Sequence, residues 1–278
     1  MSDLLETLKA DAKALFVPRS PLSRIGQNLC FAVAFFSLVL LYTTLAYQED
    51  NTLYPRWGEL WEGLQTLIYN PDMEESMLWD DSLASFQRLV PAIGLSAVIG
   101  VTLGLYMGLY VAAESLFARI LEFIGNVPPV AMMVVFLLQF GFDLEMFVAV
   151  QVFGIITLVT TGIYLATKAV HDEHIYSAKT LGASRQEIVW SIMFFQVMPQ
   201  ILESVRQSIA PAIIYLIAAE WQAGSSGWGY RFMKLYRSGK MEIIFPYLLF
   251  FGLLGLGFKV LFTLIERWTC PWYSREEH

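Results

Sequence analysis

The sequence predicts an all-α polytopic membrane protein with about six transmembrane helices. Its residues are 56% hydrophobic and only 15% charged, and the mean hydropathy of +0.53 is too apolar for a typical soluble chain of this length. Several apolar runs also reach the roughly 20 residues that a ~30 Å hydrocarbon core requires.

Residues 1–25 read as a cytoplasmic amphipathic segment, with Leu4, Leu8, Ala12 and Leu15 on one face and Lys9 and Lys13 opposite. A transmembrane domain follows over 26–267. Its first span, Gln27 to Tyr47, is longer than a signal peptide's apolar core and lacks a small-residue cleavage site, so it is expected to be retained. An acidic external loop, 48–87, comes next. Within it Trp57, Leu60, Trp61, Leu64 and Ile68 recur at helical spacing behind Pro55, on a face suited to lipid headgroups or to an external partner.

The second span, Leu89 to Ala113, carries Ser96, Gly100, Gly104, Gly108 and Ala112 at four-residue intervals. Such a stripe lets two helix backbones approach closely, although a pore-lining role stays open. Val127 to Phe142 is shorter and opens on Pro128 and Pro129; Met146 to Thr167 is a clear span. Ser208 to Ala223 contains Pro211 and Glu220, and Ile243 to Ile265 precedes a cytoplasmic tail at 268–278.

Orientation follows from the cations flanking the spans. Lys9, Lys13, Arg19 and Arg24 precede the first span, whereas the next loop is acidic, so both termini are expected in the cytoplasm. Arg231, Lys234, Arg237 and Lys240 break the pattern, since six spans place them outside. They would then draw in a small anion, meet an acidic binding protein, or form a solvated surface. The net charge of −7 gives no support to nucleic-acid binding, and Cys30 and Cys270 predict no disulfide.

Between the fourth and fifth spans lies a polar loop, 171–203. Residues Glu173 to Leu181 are helix-compatible, Gly182 suits a left-handed helix end, and Ser184 with Glu187 has capping-box spacing for a second helix ending at Pro199. Two helices around a glycine turn make either a protruding elbow or a plain connector. His171 and His174 flank Asp172 and Glu173 at the loop's entrance but lack a third fixed ligand, so no metal site is assigned.

Tyr176 to Ile201 (YSAKTLGASRQEIVWSIMFFQVMPQI) resembles the EAA loop of ABC importer permeases, the cytoplasmic element that docks into an ATPase subunit. Ala178 matches the second alanine of that motif, Gly182 its glycine and Pro199 its closing proline, while Leu181, Ala183 and Ser184 fit its Leu-Gly-Ala-Ser form. Tyr176 and Ser177 stand where glutamate and the first alanine are usual, and Phe195 where a proline is common. Asn126 to Gly141, Glu220 to Tyr230 and Leu264 to Trp272 extend the likeness, which is nearest the nitrate, sulfonate and taurine branch.

The resemblance implies a type I ABC importer permease fold in a bacterial cytoplasmic (inner) membrane. It implies alternating access for a small solute of the nitrate, sulfonate, taurine or bicarbonate class, and assigns ATPase coupling to Tyr176, Ser177, Ala178, Leu181, Gly182, Ala183, Ser184, Glu187 and Pro199. No Gly-x4-Gly-Lys-Ser/Thr loop is present, so this subunit is expected to be non-catalytic and cofactor-free, with ATP and Mg held by a partner. Two ATPase copies, a second permease copy in a homodimer, membrane lipid and a periplasmic or extracellular solute-binding protein are the implied partners.

Polar groups inside spans are costly in lipid, which makes Gln139, Gln151, Thr157, Thr160, Thr161, Tyr164 and Glu220 candidates for the translocation path. Helix-backbone bonding by the threonines and an interhelix partner for Glu220 are the structural alternatives. An ion-coupled secondary transporter and an ABC permease for a non-anionic molecule also remain open.

Overall fold

A computed structural model describes residues 23–48, 53–69 and 77–272. The amphipathic reading of residues 1–22 and the tail beyond Trp272 lie outside these residues. The described chain is helical without strands, and it divides into two compact units, 1–62 and 63–278.

The first unit holds α1 (Arg24–Ala46) and the start of α2 (Trp57–Ile68). α1 begins at Ser23, whose side chain accepts from the Gly26 amide. Beyond its end, the Tyr42 hydroxyl donates to the Pro55 carbonyl at 2.7 Å, and the rings of Tyr42 and Trp57 meet edge to face. The Arg56 amide donates to the Glu59 carboxylate, which satisfies one free donor at the start of α2.

The second unit is built on α3 (Met77–Leu109) and α6 (Leu144–Lys168). They run parallel: a Cβ at Gly100 would sit 2.7 Å from Val159, one at Gly104 2.8 Å from Ile163, and one at Gly108 2.4 Å from Thr167. The small-residue stripe is therefore a packing seam. Ala112 does not belong to it, because α3 ends at Leu109 and Tyr110 opens a new helix. α3 also starts twelve residues before the expected Leu89, since Asp81 and Ser82 near its head are buried against other helices.

The expected span at Val127–Phe142 is instead the second limb of a broken pair, α4 (Val111–Gly125) and α5 (Pro129–Phe140), bent by 98°. Consecutive prolines explain the break: Pro128 is extended (φ −61°, ψ 121°), and the residue before a proline avoids the α region. α1, α3, α6, α10 (Met198–Ala223) and α12 (Met241–Thr269) are each long and apolar enough to cross a membrane, and the broken pair passes the same test jointly. Because α3 and α6 are parallel, α4 and α5 must carry the chain back between them, which brings the candidate spans among the described residues to six. α10 runs antiparallel to α6, with Gly162 against Ser204 and Gly154 against Tyr215.

Two apolar clusters fill this unit. One surrounds Trp228 with Leu89, Phe147, Leu216 and Tyr247. The other joins Leu105, Val159 and Ile163 to Val189, Met193 and Ile201 of the polar loop and its exit.

Candidate functional site

The polar loop folds as α7 (Asp172–Thr180), a turn, α8 (Arg185–Glu187), a π-helical turn (Ile188–Met193) and α9 (Phe194–Gln196). Gly182 closes α7 at φ +84°, in the left-handed region that favours glycine. The Gly182 amide donates to the Lys179 carbonyl and the Ala183 amide to the Ala178 carbonyl, both at 3.0 Å, the paired bonds of a Schellman end. Two residues on, the Ser184 side chain accepts from the Glu187 amide at 3.3 Å while the Ser184 amide donates to the Glu187 carboxylate at 2.7 Å. The Ser184 hydroxyl and backbone amide beside it hold the Glu187 carboxyl below its ordinary value, the serine side chain contributing most.

The turn thus presents its tip outward. Leu181 is 88% exposed and Tyr176 63%, while Ala178 is buried at the base. Ser177, Ser184 and Glu187 are exposed as well, and Ala183 is half-buried. A Cβ at Gly182 would meet nothing within 4 Å. Beside the turn lies a cavity of about 500 Å³ lined by Leu109, Tyr110, Tyr176, Lys179 and Arg185.

The second limb differs from a single α-helix ending at Pro199. Its π-helical turn keeps Ile188, Val189 and Met193 in the core, the chain bends at Val197 (φ −95°, ψ 1°), and Pro199 is buried in the first turn of α10. α10 consequently starts ten residues before the expected Ser208.

At the opposite end of α3, Glu220 is fully buried and closes a charged network. Its carboxylate accepts from Arg88 at 2.7 Å, from the Ser85 hydroxyl at 2.8 Å and from the Gly229 amide at 2.8 Å. Arg88 also donates to the Ser226 carbonyl and stacks 4.3 Å over the Phe147 ring. A Cβ at Gly227 (φ +101°) would stand 2.4 Å from a Glu220 carboxylate oxygen, and one at Gly229 2.2 Å from the Ile217 carbonyl. The glycine spacing of Glu220 to Tyr230 is therefore a turn wrapped around one carboxylate.

A second pair lies alongside. Arg231, in α11 (Trp228–Arg237), donates to Asp81 at 2.7 Å, and the Tyr247 hydroxyl donates to the same carboxylate at 3.0 Å. Arg231 is thus engaged within the fold, whereas Lys234, Arg237 and Lys240 are exposed. Asp81, Ser85 and Arg88 escaped sequence reasoning, although their spacing along α3 places all three on one helical face.

The polar candidates within the spans separate. Thr160 is fully buried in the α3 seam and Thr157 packs on Gly125 of α4. Thr161 and Gln139 are exposed. The Tyr164 hydroxyl and the Lys168 ammonium both donate to Glu114 of α4 at 2.6 Å. Gln151 is buried and donates to the Phe147 carbonyl, leaving its own carbonyl unpaired, as are the hydroxyls of Ser96, Thr157 and Thr160.

Residues 100–272 match the family described as binding-protein-dependent transport system inner membrane component. A taurine transport system permease protein of Escherichia coli (strain K12) is 23% identical over 92% of this chain and 93% of its own length. A nitrate import permease protein of Leptolyngbya laminosa is 22% identical over 91% and 94%, and a formylaminopyrimidine transport permease protein of Halalkalibacterium halodurans 24% identical over 77% and 85%. A chain from an inward-facing structure of the MetNI methionine ABC transporter shares the fold, with a TM-score of 0.58 at 14% identity over 70% of this chain and 98% of that one.

Proposed function

The chain belongs to the binding-protein-dependent inner membrane components of ABC importers, and from that premise we propose that two copies enclose one path for a small oxyanion, driven by separate ATPase subunits. The elbow carries this reading. Its tip, Leu181 and Gly182, projects from a turn fixed by backbone bonds and a capping box, and its base is packed on α3 and α6. A protrusion that is stiff at its root can pass a rigid-body displacement into the spans.

Two ATPases would grip two such elbows and hold ATP and Mg, this subunit binding no cofactor of its own. Tyr176, Ser177, Ala183 and Ser184 would form the grip with Leu181 and Gly182, while Ala178, Glu187 and Pro199 keep its shape. A soluble binding protein would deliver solute at the α11 end, where Lys234, Arg237 and Lys240 offer cations to an acidic surface. Both termini would be cytoplasmic. Of the polar candidates, Thr161 and Gln139 are open to a path, whereas Thr160, Gln151 and Glu220 act between helices.

The taurine and nitrate relatives favour a sulfonate or other oxyanion; the formylaminopyrimidine relative keeps a non-anionic solute as a second reading. Copurification tests the coupling. An ATPase retained by the wild-type chain should be lost from Gly182→Trp with the permease still folded, and uptake proceeding without any ATPase would overturn the reading. The ligand retained by the cognate binding protein identifies the solute.

A further inference from the structure

We infer, on the coupling proposed above, that the cleft between the two limbs of the elbow takes an acidic side chain of the ATPase subunit, its carboxylate held by Lys179 and Arg185. The cleft encloses about 500 Å³. One wall is a single face of α7, where Asp172, Tyr176 and Lys179 stand at helical spacing. Arg185 belongs to the other limb, and Tyr110, at the junction of α3 and α4, lies on the side of the spans.

The walls are held in place. The Tyr106 hydroxyl donates to Gln186 at 3.0 Å and its ring stacks on Tyr110, which ties the end of α3 to the second limb. The Schellman end and the capping box fix the turn that joins the limbs. A cleft whose shape is set before association loses less entropy when it is filled.

Charge is separated along this cleft. Asp172 and Lys179 are seven residues apart, about 10 Å along α7, with the carboxylate at the membrane end and the ammonium at the tip. Arg185 opens the second limb directly after the turn, so the tip end carries two cations. All three side chains are exposed, and none has an ion-pair partner among the described residues. The loop's other acids do not oppose the cations. Glu173 is off the cleft face, one residue round from Asp172, and Glu187 is turned back onto the Ser184 amide at 2.7 Å, where the shift of its carboxyl owes nothing to a cation. Two cations against one carboxylate leave the lining with a net charge of +1, and both cations stand at the end nearest Leu181 and Gly182.

Place and sign together specify the occupant. When the tip is gripped, the surface facing the cleft is that of the ATPase, and a protein's anions at neutral pH are Asp and Glu carboxylates. The glutamate usual at this edge of the motif is replaced by Tyr176, and the Lys179 ammonium lies 5.8 Å from the centre of that ring. An aromatic face beside a lysine thus stands where an acid would repel such a partner.

The test titrates the purified cognate ATPase against the full-length permease in detergent and reads Kd at ~50 and ~500 mM salt. At low salt, Lys179→Gln and Arg185→Gln should each weaken binding about fivefold and the double variant about 25-fold, with the differences shrinking at high salt. Lys179→Arg should bind as the wild type does. Asp172→Asn should tighten binding about twofold, a gain that damage to the elbow's shape would not produce. Should a cation variant aggregate on gel filtration, Asp172→Asn still decides. Weaker binding by that variant marks a basic partner side chain in the cleft and overturns the inference. An unchanged Kd for the double variant overturns it too while the coupling stands, whereas a wild-type chain that binds no ATPase removes both. Binding that is weaker in phosphatidylglycerol than in phosphatidylcholine nanodiscs for the wild type, but not for the double variant, marks a lipid phosphate as the occupant and also overturns it.

Discussion

Removing the Glu220 carboxylate should destabilise the permease far more than its distance from the elbow suggests. Glu220→Ala strands three groups at once: the Arg88 guanidinium, only 13% exposed, the Gly229 amide and the Ser85 hydroxyl. Breaking a buried ion pair from one side costs about 3–5 kcal/mol. At roughly 2–4 °C per kcal/mol for a domain of this size, the loss is about 6–20 °C in Tm. The double variant Arg88→Met, Glu220→Gln removes the stranded charge and leaves a carbonyl for the Gly229 amide, so it should lose well under half of that. Tryptophan fluorescence during heating in detergent reads the transition, since Trp228 packs on Phe86 and Phe251 beside the network. If Glu220→Ala melts within about 2 °C of the wild type, the pair contributes less than ~1 kcal/mol and the reasoning fails.

Gly104→Leu should cost about 1–3 kcal/mol or prevent folding by overpacking the α3–α6 seam, whereas Gly94→Leu, with open space at its Cβ, should be tolerated; Tm in detergent separates them. A cysteine at the buried position Thr160 should resist a water-soluble thiol reagent until the protein unfolds, while one at the exposed Thr161 reacts if the path is aqueous; early labelling at 160 refutes the packing. The capping box should respond to acid. The native Glu187 carboxyl is held below its ordinary value of 4.5, so its stabilisation is complete above that value and is lost as pH falls through the lowered one. Hydrogen exchange at the Ser184 and Glu187 amides, corrected for intrinsic rates, should show this loss, and Glu187→Gln should abolish its pH dependence.

Helices whose signal is local were legible in the sequence. α1, α6 and α12 stand near their apolar runs, and the elbow follows from Gly182, Ser184 and Glu187, because caps and turns depend on residues a few positions apart. Long-range pairing was not legible. Asp81 reads as one more acid in an acidic loop, and its burial depends on Arg231 and Tyr247, 150 and 166 residues away. That one contact both lengthens α3 and removes a cation from the apparently misplaced basic cluster. α4 was hidden differently: Glu114, Arg119 and Glu122 dilute its hydropathy, although Leu116, Phe117, Ile120, Leu121 and Ile124 carry a helical period. The π-helical turn leaves no sequence signature at all.

The two ends of α3 explain how an elbow made of ordinary caps can matter for transport. At 33 residues, about 50 Å, α3 carries Asp81, Ser85 and Arg88 near its start and Leu105 and Tyr106 near its end. The first group locks it to α10, α11 and α12, and the second packs on the elbow, where the Tyr106 hydroxyl donates to Gln186. Between those ends the seam with α6 has no slack, since even one added carbon at Gly100, Gly104 or Gly108 would fall under 3 Å from its neighbour. Close-packed helices of this kind move as one body rather than slide past each other. On the coupling proposed above, a displacement applied at Leu181 and Gly182 would reach the charged network as a rotation of the α3–α6 pair, and the broken pair α4–α5, bent by 98° at its prolines, would be the element left to absorb the difference.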